Sequence, residues 1–260
     1  MISAEQITVT RDGRNLVDNI SIELKPGQFT VVIGPNGAGK STLMKAISGE
    51  MEPDRGTVTY HGTDVRLYKP ADLARRRAVL PQAIQLAFPF TALEIVRMGA
   101  VAQGALNPTE QARQALSRVG LRGFESRPYF SLSGGEQQRV QFARALAQVP
   151  HPVADGLPRA LFLDEPTASL DIGHQIAVLE IARDFASAGG AVLAILHDLN
   201  LAAEFADHLV VLNHGRVVAE GPCLETVNDG IIASVYGIAG AVGRLPAEHI
   251  PYVLPQSRER

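Results

Sequence analysis

Three short runs in this chain hold the residue types from which phosphate chemistry is built. The first, Gly34-Pro35-Asn36-Gly37-Ala38-Gly39-Lys40-Ser41 with Thr42 behind it, is rich in glycine, so successive backbone N–H groups can converge on phosphate oxygens. A helix starting at its end would present its positive pole to the same anion. Lys40 adds a mobile cation for β- and γ-phosphates, and Ser41 offers a hydroxyl to Mg²⁺. A glycine turn serving geometry alone leaves Lys-Ser at this spacing unexplained. The second run, Ala160-Leu161-Phe162-Leu163-Asp164-Glu165, reads as a buried strand that ends in two carboxylates. Strand neighbours point in opposite directions, so the two should differ in task. Asp164 is the candidate for holding Mg²⁺ through water, and Glu165 for orienting or deprotonating an attacking water. An isolated Asp-Glu pair is as readily a solvated acidic turn, but the four apolar residues before it and Pro166-Thr167 after it argue for the strand. Between these runs lies Leu132-Ser133-Gly134-Gly135-Glu136-Gln137-Gln138. Ser133 and Glu136 have capping-box spacing, with Ser133 at the N-cap of a helix running through Gln148. A capped helix that begins with two glycines also offers open amides to a phosphate, and the two readings are compatible.

These runs need elements to position them. Residues 2–10 and 20–24 alternate apolar and polar around Asp12-Gly13, as in an antiparallel pair. Phe29–Ile33 reads as a buried strand and Ser41–Ser48 as a helix closed by Gly49, which together give the strand–loop–helix order of a phosphate loop. Further strands are expected at 160–164, 191–196, 208–212 and 216–220, the last two joined by Asn213-His214-Gly215. In the 84–150 stretch, Asn107 is a candidate N-cap with Pro108 in the first helical position and Glu110 where a capping box needs it. Ala112, Ala115, Leu116 and Val119 then mark one helical face, ended by Gly120. Residues 151–158 read as a surface loop, and a short helix is expected near Ile231–Tyr236 before Pro246, Pro251 and Pro255 break the chain. The expectation is one α/β domain: a core of 1–83 and 159–223, an inserted helical subdomain at 84–150 and a tail at 224–260.

The chain has 260 residues, 46% hydrophobic and 20% charged, with a net charge of −3, so nothing gives it the basic footprint of a nucleic-acid binder. Arg75-Arg76-Arg77 is expected to be a solvated helix face. The single cysteine, Cys223, and the absence of a signal-peptide pattern suit the cytoplasm. No apolar run approaches the ~20 residues needed to cross a bilayer, so a task at a membrane needs separate spanning subunits. His61, His151, His208 and His249 form no ligand cluster.

In order and spacing, the three runs resemble those of the ATP-binding subunits of ABC transporters across nearly the whole chain. The resemblance implies a P-loop NTPase (RecA-like) α/β core with an antiparallel β subdomain and an inserted α-helical subdomain. It also implies an ATPase using ATP and Mg²⁺, with Lys40, Glu165 and His197 as catalytic residues. In the family, Ser133, Gly134 and Gly135 face the nucleotide of the other subunit, so the chain is expected to form a homodimer that sandwiches two ATP molecules. Gln82 follows Val79-Leu80-Pro81 as the Q-loop glutamine does, reaching Mg²⁺ and the γ-phosphate. Ser169-Leu170-Asp171 resembles the D-loop at the dimer contact, and His197 matches the switch histidine that donates to the γ-phosphate. Two departures stand out. The aromatic residue that stacks on adenine is replaced in Thr10-Arg11-Asp12-Gly13-Arg14, where Arg11 either covers the base or is an exposed turn arginine; and His151–Pro158 lengthens a usually short link. Phe88-Pro89-Phe90-Thr91 and His197-Asp198-Leu199-Asn200-Leu201-Ala202-Ala203 are similar to importers of iron–siderophore complexes, haem and cobalamin. The 151–158 loop and the tail Val235-Tyr236-Gly237…Val253-Leu254-Pro255 look most like the haemin-importing members. That resemblance implies two transmembrane permease subunits, an indirect periplasmic substrate-binding protein and a place on the cytoplasmic face of the bacterial inner membrane, with Phe88 and Phe90 as exposed anchors for a membrane subunit. A ferric-siderophore or cobalamin importer is the alternative, ahead of an exporter or a soluble ABC ATPase.

Overall fold

The computed structural model describes residues 2–82, 88–240, 242–246, 250, 253, 254 and 258. The expected breaks at Pro251 and Pro255, and the reading of His249, fall outside these residues. From the N-terminus, β1 (Ile2–Arg11) and β2 (Arg14–Leu24) form a hairpin, followed by β3 (Phe29–Ile33) and α1 (Lys40–Ser48). Next come β4 (Arg55–Tyr60), the two-residue β5 (Thr63–Asp64), α2 (Pro70–Arg76) and β6 (Arg77–Leu80). Three helices follow: α3 (Ala92–Gln103), α4 (Pro108–Arg118) and α5 (Gly134–Gln148). A small hairpin of β7 (Val153–Ala154) and β8 (Leu157–Pro158) leads into β9 (Ala160–Asp164), α6 (Ile172–Ser187), β10 (Ala191–Ile195) and α7 (Leu199–Phe205). The remaining elements are β11 (His208–Asn213), β12 (Arg216–Gly221), α8 (Cys223–Thr226) and α9 (Asp229–Tyr236).

Strands β2-β1-β4-β5 make one antiparallel sheet, and β12-β11-β3-β10-β9-β6 make a second sheet, parallel except at the β11–β12 hairpin. Every residue of β3, β9 and β10 is buried, because the parallel sheet is covered on both faces. Side chains alternate across each strand and so divide between two cores. Val31, Ile33, Leu161 and Leu163 join the residues of α3 to α7, while Val32, Phe162, Ile195 and Val210 join α1 and the inner face of the antiparallel sheet. Each fully buried Phe or Leu contributes roughly 1.5–3 kcal/mol, so the strand order is fixed by two independent apolar layers.

Local chemistry explains most boundaries. Gly49 closes α1 in the left-handed region, and α5 begins with a complete capping box between Ser133 and Glu136. Thr91 and Glu94 form a second box at the start of α3. At α4 the box is only half made. Asn107 accepts from the Glu110 amide, whereas the Glu110 carboxylate takes Gln114 instead. Strict alternation in β1 also fails: Gln6 has φ +52 and the register shifts between Ala4 and Ile7, leaving Glu5 and Gln6 both outside.

One expectation is corrected and one refined. Arg75–Arg77 is not one solvated face, since the helix ends at Arg76 and Arg77 opens β6 and donates to the Ser48 carbonyl. Arg76 lies 4.8 Å over the Tyr68 ring. The 151–158 stretch lies at the surface as expected but is built as a hairpin, because Asp155 (φ +53) and Gly156 (φ +71) supply the two left-handed residues of a tight turn.

Helix α3 crosses α5 at Gly99, where a Cβ would lie 2.1 Å from the Arg144 carbonyl oxygen. Gly99→Ala should therefore force the helices apart and cost about 1–3 kcal/mol as overpacking. A lowered urea midpoint at constant slope is the expected result; an unchanged midpoint would mean that the crossing adjusts freely.

Candidate nucleotide site

Strand β3 ends at Ile33, and Gly34 turns the chain at φ +150, where a Cβ would sit 2.0 Å from the Leu212 carbonyl oxygen of β11. Only glycine fits that approach. The loop returns to α1, whose N-cap is Gly39 with no side-chain cap and whose first turn holds no acidic residue. Its leading amides and positive pole are thus left for an anion. Lys40 is 6% exposed, and its Nζ donates to the carbonyls of Gly34 (2.8 Å) and Pro35 (3.0 Å). Burial pushes its ammonium below the usual lysine range, and the nearby carboxylates of Glu165 and Asp164 oppose that.

Asp164, the last residue of β9, is 5% exposed and accepts from the Ser41 hydroxyl at 3.1 Å. Burial raises its carboxyl above the usual range, the Ser41 hydrogen bond opposes this, and the charge of Glu165 adds to it. Glu165 departs from Asp164 for a reason other than strand alternation. The strand has ended, and Glu165 takes φ +53, a conformation costing about 1–3 kcal/mol in a residue with a side chain. That turn carries its Oε1 to 2.7 Å from Nε2 of His197, just beyond β10. Asp198 accepts from the amides of Asn200 and Leu201, so the cap of α7 fixes the loop that carries His197.

Lys40, Ser41, Asp164, Glu165 and His197 therefore meet at the carboxyl ends of adjacent strands β3, β10 and β9, the usual ligand edge of a parallel sheet. Gln82 lies exposed two residues beyond β6, the next strand over. Ser133 and Gly134 are exposed, and Gly134 and Gly135 pack beside Ser169 of the following loop, where a Cβ on Gly135 would lie 3.0 Å from the Ser169 carbonyl oxygen. The Ser133–Glu136 box uses the amides of those two residues and leaves those of Gly134 and Gly135. Asp171 caps α6 through the His174 amide and bonds the His174 ring at 2.8 Å, which holds its carboxyl below the usual range.

Arg11 is exposed, donates to the Thr10 carbonyl and lies 3.9 Å from Asp54, a turn position open to either reading. The phosphate loop is adjoined by Leu16 of β2, whose carbonyl oxygen would lie 2.1 Å from a Cβ on Gly39, and by Gly215, whose amide donates to Ala38 at 2.9 Å. Neither is marked in the sequence beyond a glycine in a turn. Phe88 is 66% exposed, but Phe90 is half-buried and packs on the core, so the expected pair of exposed anchors reduces to Phe88.

The model of the ABC transporter family matches residues 17–168, more than half of the chain. This protein belongs to the ABC transporter family. It is an ATP-binding cassette with ATPase activity. The hemin import ATP-binding protein HmuV of Agrobacterium fabrum (strain C58) is 71% identical over 260 residues, covering 100% of both chains. The protein of that name in Jannaschia sp. (strain CCS1) is 50% identical over 100% of this chain and 96% of its own. Among solved structures, the ADP conformation of an ABC transporter's ATP-binding cassette superposes with a TM-score of 0.77 at 27% identity, covering 91% of this chain and 98% of that one. A dimeric bacterial ABC transporter cassette gives a TM-score of 0.76 at 26% identity, covering 86% and 99%.

The raised Asp164 carboxyl has a consequence for the stability of this cassette. The folded chain binds that proton more tightly than the unfolded one, so stability is lost as pH rises from the ordinary value of 3.8 through the raised folded value. Asp164→Asn keeps an oxygen for Ser41 and removes the penalty. Its nucleotide-free Tm should exceed that of the parent at pH 7, with the gap closing below the unfolded-state pKa. Equal Tm values at pH 7 would show that the carboxylate is not strained by burial.

Proposed function

We propose that this cassette is the ATP-hydrolysing subunit of a haem importer. It works as a homodimer on the cytoplasmic face of the inner membrane, beneath two membrane-spanning subunits fed by a periplasmic binding protein. The observation that carries the cargo is the 71% full-length identity to a hemin import ATP-binding protein. No described helix is long and apolar enough to cross a membrane, so the spanning path is assigned to partners. Residues 1–83 and 159–223 are read as the core, 84–150 as the helical subdomain and 224–260 as a tail.

The chain's own residues supply the chemistry. Gly34 to Thr42 cradle the phosphates, and Lys40 exchanges the Gly34 and Pro35 carbonyls for β- and γ-phosphate oxygens. Ser41 and Asp164 place two hard oxygens 3.1 Å apart, and the described residues hold no cluster of three His, Cys, Asp or Glu that would cage a metal alone. This donor set fits Mg²⁺ arriving with the nucleotide and its waters, held by Ser41, Asp164 and Gln82. There the cation would neutralise phosphate charge. Glu165 orients and deprotonates the attacking water, while His197 holds Glu165 and donates to the γ-phosphate. Ser133, Gly134, Gly135 and Asp171 serve the partner's nucleotide, in keeping with the exposure of Ser133, Gly134 and Asp171.

Glu165→Gln should retain ATP binding but slow hydrolysis by about 10²–10⁴-fold and trap ATP-bound dimers, as measured by single turnover and gel filtration. Near-parental turnover would remove Glu165 from the role. In reconstituted vesicles, haem-loaded binding protein should support ATP-dependent haem uptake, and Phe88→Asp should abolish uptake while leaving the isolated cassette's ATPase intact. Uptake of cobalamin or a ferric siderophore instead of haem would overturn the cargo.

A further inference from the structure

The β7–β8 hairpin takes no part in the nucleotide chemistry. It precedes β9, so it stands at the end of the parallel sheet opposite Asp164 and Glu165. Helix α2 stands against it, and between them lies a cavity of about 200 Å³ lined by Arg75, Arg76 and Arg159 together with Asp72 and Asp155. Guanidinium groups thus outnumber carboxylates, and none of the three arginines makes an ion pair among the described residues.

Two of their donors are stranded. Nε of Arg76 and Nη1 of Arg159 are buried without an acceptor among the described residues. Buried guanidinium N–H groups are costly to leave unpaired, and arginine cannot shed its charge to escape. Burial pushes the Arg159 group below its ordinary range, and the Asp155 charge only partly opposes that. Arg76 is anchored through its side chain and Arg159 through its backbone. Arg76 lies over Tyr68, and the Arg159 backbone is clamped by hydrogen bonds to Pro152 (2.8 Å) and Ala191 (2.9 Å). His61 ties the hairpin to the β4–β5 turn through the Pro158 carbonyl at 3.1 Å. Three arginines around one cavity, none of them in an ion pair among the described residues, suit a multivalent oxyanion.

We propose that this cavity binds a phosphate group, held by Arg76 and Arg159 with Arg75 at its rim. The chemistry suits inorganic phosphate or the phosphate of an anionic lipid headgroup. Asp155, in the hairpin turn, sets the affinity by repelling the anion. The site is separate from the phosphate loop, so its occupancy reports on the hairpin and α2.

The test is thermal unfolding of the full chain carrying Lys40→Ala, which weakens phosphate binding at the nucleotide loop, in potassium phosphate against potassium chloride at matched ionic strength. Phosphate should raise Tm saturably and beyond chloride. Adding Arg159→Gln should remove that rise. Should Arg159→Gln fail to fold, Asp155→Asn still decides, since asparagine tolerates the turn conformation and should shift half-saturation to severalfold lower phosphate. Sedimentation with phosphatidylglycerol vesicles, lost in Arg159→Gln, would assign the phosphate to lipid; phosphate-dependent stabilisation without sedimentation would assign it to the soluble ion. A Tm response equal to that in chloride, or one unaltered by Arg159→Gln and Asp155→Asn, would overturn the proposal.

Discussion

The hydrogen bond from Ser41 to Asp164 joins residues 123 positions apart, and the nucleotide site depends on it. It forms because β10 lies between β3 and β9 and because the glycine loop swings across the strand ends before α1 begins. Strands sit about 4.8 Å apart, so two steps across the sheet leave a gap of roughly 10 Å that the loop must span. A different strand order would leave Lys40 and Ser41 without a carboxylate in reach.

That placement carries a cost. Lys40 and Asp164 are both buried, and burial disfavours the charged form of each. Their fields partly offset one another, and Lys40 rests on carbonyls of its own loop. Glu165 adds backbone strain, relieved in part by its short contact with His197. In a family that binds and hydrolyses ATP, such a site suits an anionic substrate, which supplies charge and acceptors to Lys40 and the leading amides of α1. The two apolar layers hold this arrangement in place.

Much was legible in advance because it is local. The strand–loop–helix around Gly34–Ser41, the box at Ser133, the closure by Gly49 and the cap at Asn107 each rest on residues within a few positions of one another. The misread places are those where a distant partner or a backbone turn decides. Arg77 looks like a surface charge until Ser48 is beside it, and the half-made box at Glu110 lost its carboxylate to Gln114. Residues 151–158 carry the Asp-Gly signal of a tight hairpin, but the flanking strands are two residues each, too short for periodicity to show.

The sequence by itself determined which chemistry this protein carries: a phosphate loop, two carboxylates after an apolar strand, a glycine-led capped helix and a histidine after β10. Only the tertiary structure decided which of them meet. It set Glu165 on His197, brought Leu16 and Gly215 against the loop, turned Phe90 inward while leaving Phe88 out, and sent Asp171 to cap its own helix. The reason is that side-chain type and short-range spacing fix local hydrogen bonds, whereas the order of strands in a sheet is settled by how two apolar layers pack, which no run of neighbouring residues records.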